Sequence, residues 1–271
     1  MALEQLASWL RCPNCSRPLA PTAALTIGCD SGHRFDVNKR GYVTLVDAKS
    51  TTGGDTAEML TDRAQFLDSG AYSPIAQALV RLLAGRGAAR ILDAGCGTGY
   101  YLRQVLAYLP EARGLALDRA SAAVRLATRS SDRINGLVAD TWQALPVRDG
   151  VSDVVLNIFS PRNAPEFHRV LSSGGTLVVV VPRDDHLHEL RESTHMLSVP
   201  HGKADRLREE LAAQFGSDGE SEVRFSLRLT SAQAHALRQM GPSGHHHEAD
   251  EGFHAPPSVT VSVDVLRFTR R

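Results

Sequence analysis

Cysteine is scarce in this chain and net charge is absent. Four cysteines among 271 residues are too few for a disulfide scaffold, and three of them, Cys12, Cys15 and Cys29, fall within the first thirty residues while Cys96 stands alone. In a reducing compartment such a cluster holds a metal more often than a bridge. Thirty basic residues are balanced by thirty acidic ones, so no whole-molecule field draws in a polyanion, and any nucleic-acid contact must use a local basic surface. No stretch approaches the roughly 20 apolar residues of a membrane span. The start, Met1-Ala2-Leu3-Glu4-Gln5, lacks the basic segment and apolar run of a secretion signal. The expectation is a cytoplasmic globular protein that does not enter the membrane.

What is present begins with the pattern Cys12-x2-Cys15-x13-Cys29-x3-His33. Three thiolates and one imidazole close a tetrahedral shell around zinc, and four protein ligands leave no position for a reactive water, so the metal is expected to be structural. Gly32 lets the second knuckle turn. Residues from about 10 to 46 are short runs, with Ala24-Leu25-Thr26-Ile27 and Tyr42-Val43-Thr44-Leu45-Val46 of strand character. So small a β-rich unit seldom buries enough apolar area to fold without a metal or a disulfide. Arg11, Arg17, Arg34, Lys39 and Arg40 outnumber Glu4, Asp30 and Asp36 there, which suits either an RNA-facing or a merely solvated surface.

A linker composition over Asp47 to Asp55 marks a boundary. The division expected is a zinc-binding unit at 1–47, a linker and helical segment at 48–88, and a catalytic domain at 89–271. From Thr56 the apolar spacing is helical, through Ile75, Ala76, Leu79, Leu82 and Leu83. Strand and helix patterns then alternate: strand 89–93, helix 100–108, strand 114–117, helix 121–130, then strands 134–139, 151–158 and 175–181. That is the signature of a doubly wound, Rossmann-like α/β sheet at least five strands wide. Beyond Pro182 a helix is read around 204–215, a strand near 222–229, a helix at 231–240 and a last strand at 258–268.

Ile91-Leu92-Asp93-Ala94-Gly95-Cys96-Gly97-Thr98-Gly99 places alternate glycines after a strand and before a helix. A dinucleotide pyrophosphate would be repelled by the acid at the start of this turn. A cofactor with an ammonium and a sulfonium suits it better: Asp93 holds the ammonium, and Gly95, Gly97 and Gly99 let the main chain pass close. Asp118, at the end of the next strand, suits ribose hydroxyls, and Asp140, after a third strand, suits an adenine amine. The cofactor expected is S-adenosylmethionine. Cys96 reads as a small buried filler within the turn.

These residues resemble the 23S rRNA guanine-N1 methyltransferases of the RlmA and tylosin-resistance type over nearly the whole chain. The resemblance rests on the zinc knuckles with His33-Arg34-Phe35-Asp36-Val37, then Gly54-Asp55-Thr56-Ala57-Glu58-Met59 and Phe66-Leu67-Asp68-Ser69-Gly70-Ala71-Tyr72-Ser73-Pro74. It continues through the glycine turn, Asn157-Ile158-Phe159-Ser160-Pro161-Arg162-Asn163, Asp185-His186-Leu187 and Met240-Gly241-Pro242-Ser243. It implies a class I methyltransferase fold, one structural zinc, and cofactor roles for Tyr72, Gly97, Thr98 and His186. It also implies a substrate, hairpin 35 in domain II of 23S rRNA, and a homodimer. The 157–163 and 240–243 segments lean towards the subtype acting on guanine 748 rather than 745. His245-His246-His247 departs from the resistance subtype, and a solvated loop is the default for it.

Methyl transfer to N1 demands alignment of base and donor, removal of the N1 proton, and an unstacked guanine gripped by aromatic or guanidinium groups. Trp142, which stands beside the adenine-facing Asp140, and Phe159 and Arg162 follow strand ends; Asn157 and the 159–162 segment are expected to frame the base. Two other readings stand beside this one: a nonenzymatic RNA-binding protein that senses adenosylmethionine, and a small-molecule methyltransferase with an accessory zinc unit.

Overall fold

The computed structural model describes residues 3–46, 55–194, 202–240 and 256–271. The 47–54 linker, Gly241-Pro242-Ser243 and the histidine run lie outside them. After the short helix α1 (Leu3–Ala7) come four small strands, β1 (Ala20–Ala23), β2 (Thr26–Gly28), β3 (Arg34–Asn38) and β4 (Tyr42–Thr44). Helices α2 (Ala57–Asp68) and α3 (Ser73–Leu83) lead into β5 (Arg90–Ala94), α4 (Tyr100–Tyr108), β6 (Arg113–Asp118), α5 (Ser121–Ser130), β7 (Ile134–Val138) and β8 (Ser152–Ile158). Then follow α6 (Ala164–Val170), β9 (Leu171–Pro182), α7 (His188–Thr194), α8 (Lys203–Leu211), β10 (Phe215–Arg228), α9 (Ser231–Met240) and β11 (Ser258–Arg270).

Among the described residues one sheet holds eleven strands, in the order β1-β2-β3-β4-β7-β6-β5-β8-β9-β11-β10. From β4 to β9 neighbours run parallel, and β11 and β10 close the far edge antiparallel. β9 shows why its apolar run reads as a central strand. Leu177, Val179 and Val181 belong to one core, Val178 and Val180 to the other, and all are buried, as the two-residue period of a strand covered on both faces requires. Helices α2, α3, α4 and α9 pack on the second of these faces; α1, α6 and α8 pack on the first.

The N-terminal unit is not a separate bead. Val43 of β4 pairs in register with Leu137 of β7, and the Arg148 guanidinium donates to the carbonyls of Leu10, Ala7 and Leu19. The structure departs from the sequence pattern at two places. Residues 24–27 are not one strand, because Ala24 and Leu25 form the two-residue turn between paired Ala23 and Thr26. Phe215 does not end a helix but begins the long strand β10, whose alternation of exposed and half-buried residues hid its start.

Candidate active site and metal centre

Cys12 and Cys15 sit in a tight turn where the Ser16 amide donates to the Cys12 carbonyl at 2.8 Å and Ser16 takes a left-handed φ of 58°. Cys29 and His33 close the β2–β3 hairpin, where Gly32 takes the matching role at φ 91° with its amide on the Cys29 carbonyl. The two knuckles bring the four ligand atoms within 4.8 Å of one another. Nδ1 of His33 lies 3.5, 3.6 and 3.3 Å from the sulfurs of Cys12, Cys15 and Cys29, and Cys15 and Cys29 are 3.6 Å apart. A tetrahedron around zinc has edges about 1.6 times the metal–ligand distance, so roughly 3.8 Å between sulfurs and 3.5 Å between sulfur and nitrogen. The spacing fits that shell and is far too long for a disulfide. Burial raises the Cys29 thiol, but hydrogen bonds from His33 and the turn amides overcome it and bring the group down to about 6, towards the thiolate a metal needs.

Because β3 runs against β4 and β4 runs with the parallel strands, the Cys29–His33 knuckle lies at the rim formed by the strands' carboxyl ends. Four strand steps separate β3 from β5, about 19 Å along the sheet. The chain turns to opposite sides of β5, which is flanked by β6 and β8. Such a switch point opens a crevice at that same rim.

Asp93, in β5, is buried at 2% exposure. Burial, reinforced by the neighbouring Asp118 carboxylate, pushes its carboxyl up to about 8. Gly95 at φ 84° has no room for a side chain, since an added carbon would strike Ser160; Gly99 at φ 78° starts α4 against Ala127. Asp118 accepts from the Gly97 and Ala120 amides, both at 2.9 Å, and Thr98 is buried in the turn. Asp140 accepts from the Trp142 amide at 3.0 Å and stands 3.8 Å from Arg119, while Trp142 is 64% exposed.

On the other side of Asp93, beyond β8, aromatic rings gather. Phe159 takes a left-handed φ of 52°, which costs a bulky residue strain, and its ring stacks on His186 with centroids 6.0 Å apart. Tyr72 lies 6.4 Å from both. Burial, then the Arg191 guanidinium, lowers His186 to about 4, so its Nδ1 accepts from the Ser262 amide at 3.2 Å in the neutral form. Asn157 is buried beneath this loop. Its amide donates to Ser160 Oγ at 2.6 Å and to the Pro161 carbonyl at 2.7 Å, and its Oδ1 has no partner among the described residues. Arg162 leans towards Glu210 of α8 at 3.8 Å.

The sequence-predicted residues therefore separate into the zinc knuckles, the acids and glycines of the crevice, and the aromatic mouth with Asn157 and Arg162. The chain is 42% identical, over 96% of its own length and 96% of the other's, to the 23S rRNA (guanine(748)-N(1))-methyltransferase of Streptomyces fradiae. It belongs to the 23S rRNA guanine-N1 methyltransferase family. The family profile described as "RlmA, N-terminal" matches residues 10–51, and one described as "Methyltransferase domain" matches 91–175. A SAM-dependent methyltransferase from Aquifex aeolicus shares the fold at a TM-score of 0.51 and 12% identity, over 80% of this chain and 99% of that one.

In this methyltransferase the sequence pattern leaves out one residue of the site, Arg63, and one contact of a residue it does include. Ser160, whose hydroxyl donates to the Ala94 carbonyl at 2.6 Å, fixes the loop above Gly95, and no spacing announces that contact. Arg63 pairs with Asp55 at 2.5 Å and stands over Gly97. It comes from α2, outside the strand–turn–helix pattern that located the crevice, although its place on a helix beginning at Thr56 was readable.

Proposed function

We propose that this chain transfers a methyl group from S-adenosylmethionine to N1 of a guanine in 23S rRNA, at position 748 in hairpin 35 of domain II. The observation that carries the reading is similarity over 96% of the chain to a relative named for guanine 748, joined to a crevice whose central carboxyl is pushed up to about 8 by burial and the nearby Asp118, and so is mostly protonated at neutral pH without a cation beside it. A ligand bearing an ammonium and a sulfonium answers that need, since opposite charge within a few ångströms restores a buried carboxylate. When bound, the cofactor supplies an electrophilic methyl group.

The chain's own residues do the rest. Asp93 would hold the ammonium, and Gly95, Gly97, Thr98 and Gly99 would bring main chain against the cofactor. Asp118 retains lone pairs for ribose hydroxyls, Asp140 and Trp142 suit the adenine end, and Tyr72 and His186 close the aromatic side. Phe159, held off its preferred backbone by the Asn157–Ser160–Pro161 bonds, offers a ring for the unstacked guanine, with Arg162 beside it. Methyl transfer then depends on placing N1 in line with the methyl group. Zinc on Cys12, Cys15, Cys29 and His33 has a closed shell and serves the fold. The same reading expects a homodimer, which would give a neutral chain a wider RNA-facing rim.

The test is incubation of zinc-loaded protein with a hairpin 35 transcript and labelled cofactor, followed by nucleoside analysis. We expect 1-methylguanosine, lost when guanine 748 is replaced and kept when 745 is replaced. Loss on replacing 745 instead would move the site. Cofactor binding without any methylated nucleoside would favour the sensing reading.

A further inference from the structure

We propose that Lys203 and Arg206 of α8, together with Arg162 from the loop after β8, form a binding site for an RNA phosphodiester beside the aromatic mouth. The inference rests on the RNA-modifying reading above and adds the element that would grip the strand next to the extruded base.

The geometry begins with helix spacing. Lys203, Arg206 and Glu210 stand at positions i, i+3 and i+7 of α8, so they share one face. The contact between Arg162 Nε and Glu210 lays the Arg162 side chain along that face. α6, which follows Arg162, and α8 pack on the same side of the sheet. Three cations thus converge with one acid among them, and that acid is 47% exposed and only in long contact.

The charge is uncompensated where it is least affordable. Lys203 is half-buried, yet it makes no hydrogen bond or ion pair among the described residues. Burial lowers its ammonium, and the neighbours that add to the effect are Arg162 and Arg206, both of like sign. The cavity of about 440 Å³ that Lys203 also lines holds acids, none of which pairs with Lys203 among the described residues, and five of them are committed to arginines. Asp185 pairs with Arg224, Glu222 and Asp264 with Arg183, and Glu220 and Asp205 with Arg208. Arg162 Nε likewise lacks a hydrogen bond. A half-buried cation crowded by its own sign is costly unless an anion completes it.

Position supplies the identity of the anion. The Lys203 charge reaches His186 and depresses it, and His186 is the ring on which Phe159 stacks. A nucleotide whose base enters at Phe159 carries its phosphates one sugar away from the base pocket. Guanidinium and ammonium groups are the usual partners for such oxygens, and these contacts fix orientation without reading sequence.

Lys203→Gln, Arg206→Gln and the double variant would be compared with the wild type for binding of the hairpin 35 transcript at several salt concentrations. Cofactor affinity by calorimetry and zinc content would verify the fold. The double variant should bind the RNA roughly an order of magnitude more weakly, with a log–log salt slope shallower by about 1 to 2. Lys203→Arg should restore most of the slope. An unchanged slope in the double variant, with wild-type RNA binding intact, overturns this site alone. Failure of the wild type itself to bind or methylate the transcript removes the function and this site with it.

Discussion

Asp93 concentrates the chemistry of the crevice in one carboxyl. Its ordinary pKa is near 4, and burial beside Asp118 raises it to about 8 in the ligand-free fold. The folded chain then holds a proton that the unfolded chain releases, so this group's contribution to stability is complete at low pH and is lost as pH rises towards 8. Above about 6.5, the ordinary histidine value, the lowered His186 no longer contributes a slope. Zinc-loaded, cofactor-free protein should melt at progressively lower temperature from about pH 6.5 to 8, and Asp93→Asn should flatten that trend. Cofactor affinity should rise over the same window with proton release, seen as calorimetric heats that depend on the buffer. The glycine turn makes a second prediction at this scale. Gly95→Ala forces a side chain into a left-handed conformation and against Ser160, and should cost about 1–3 kcal/mol in chemical denaturation. Both residues were legible in the sequence because their chemistry is local. Arg63 was not, because it acts on the turn from a distant segment, and Ser160, although it lies in the 159–162 segment expected to frame the base, gave no sign of its contact over Gly95.

The strand–turn–helix units were nearly as legible. Helices 100–108, 121–130 and 231–240 fall where their apolar spacing puts them, since each buries one face on the sheet. The short elements were harder. α1, α6 and α7 span one to two turns, too few for a period to emerge, and β3 carries a single buried residue, Val37. The pair of knuckles adds to the β4–β7 pairing and the shared core in holding the small N-terminal strands. Cys12→Ser, or removal of zinc with a chelator, should therefore release 10–46 and bare the β7 edge. Limited proteolysis would show cleavage confined to this segment, with a lower melting temperature. Within the mouth, Asn157→Ala removes the donors to Ser160 and Pro161. It should destabilise the fold by about 1–3 kcal/mol and reduce methylation more than cofactor binding.

At the scale of the whole molecule, the sheet gathers the zinc knuckle and the candidate active site on one rim. A run of strands from the zinc hairpin to β9 places the knuckle, the acid-lined crevice and the aromatic mouth at the carboxyl ends of neighbouring strands, with the α8 cations proposed beside that mouth. Zero net charge does not oppose RNA binding when basic groups are gathered on one edge. The continuity of β4 with β7 was not legible, because a three-residue strand pairing across nearly a hundred residues leaves no local pattern. The most direct test of the central claim is primer extension on 23S rRNA from cells expressing the chain, set against cells expressing Asp93→Ala, since a methyl group on N1 blocks base pairing. The account predicts reverse transcriptase arrest one nucleotide 3′ of guanine 748 only with the intact chain. Uninterrupted extension through hairpin 35 in both, with the protein folded and zinc-loaded, would contradict it.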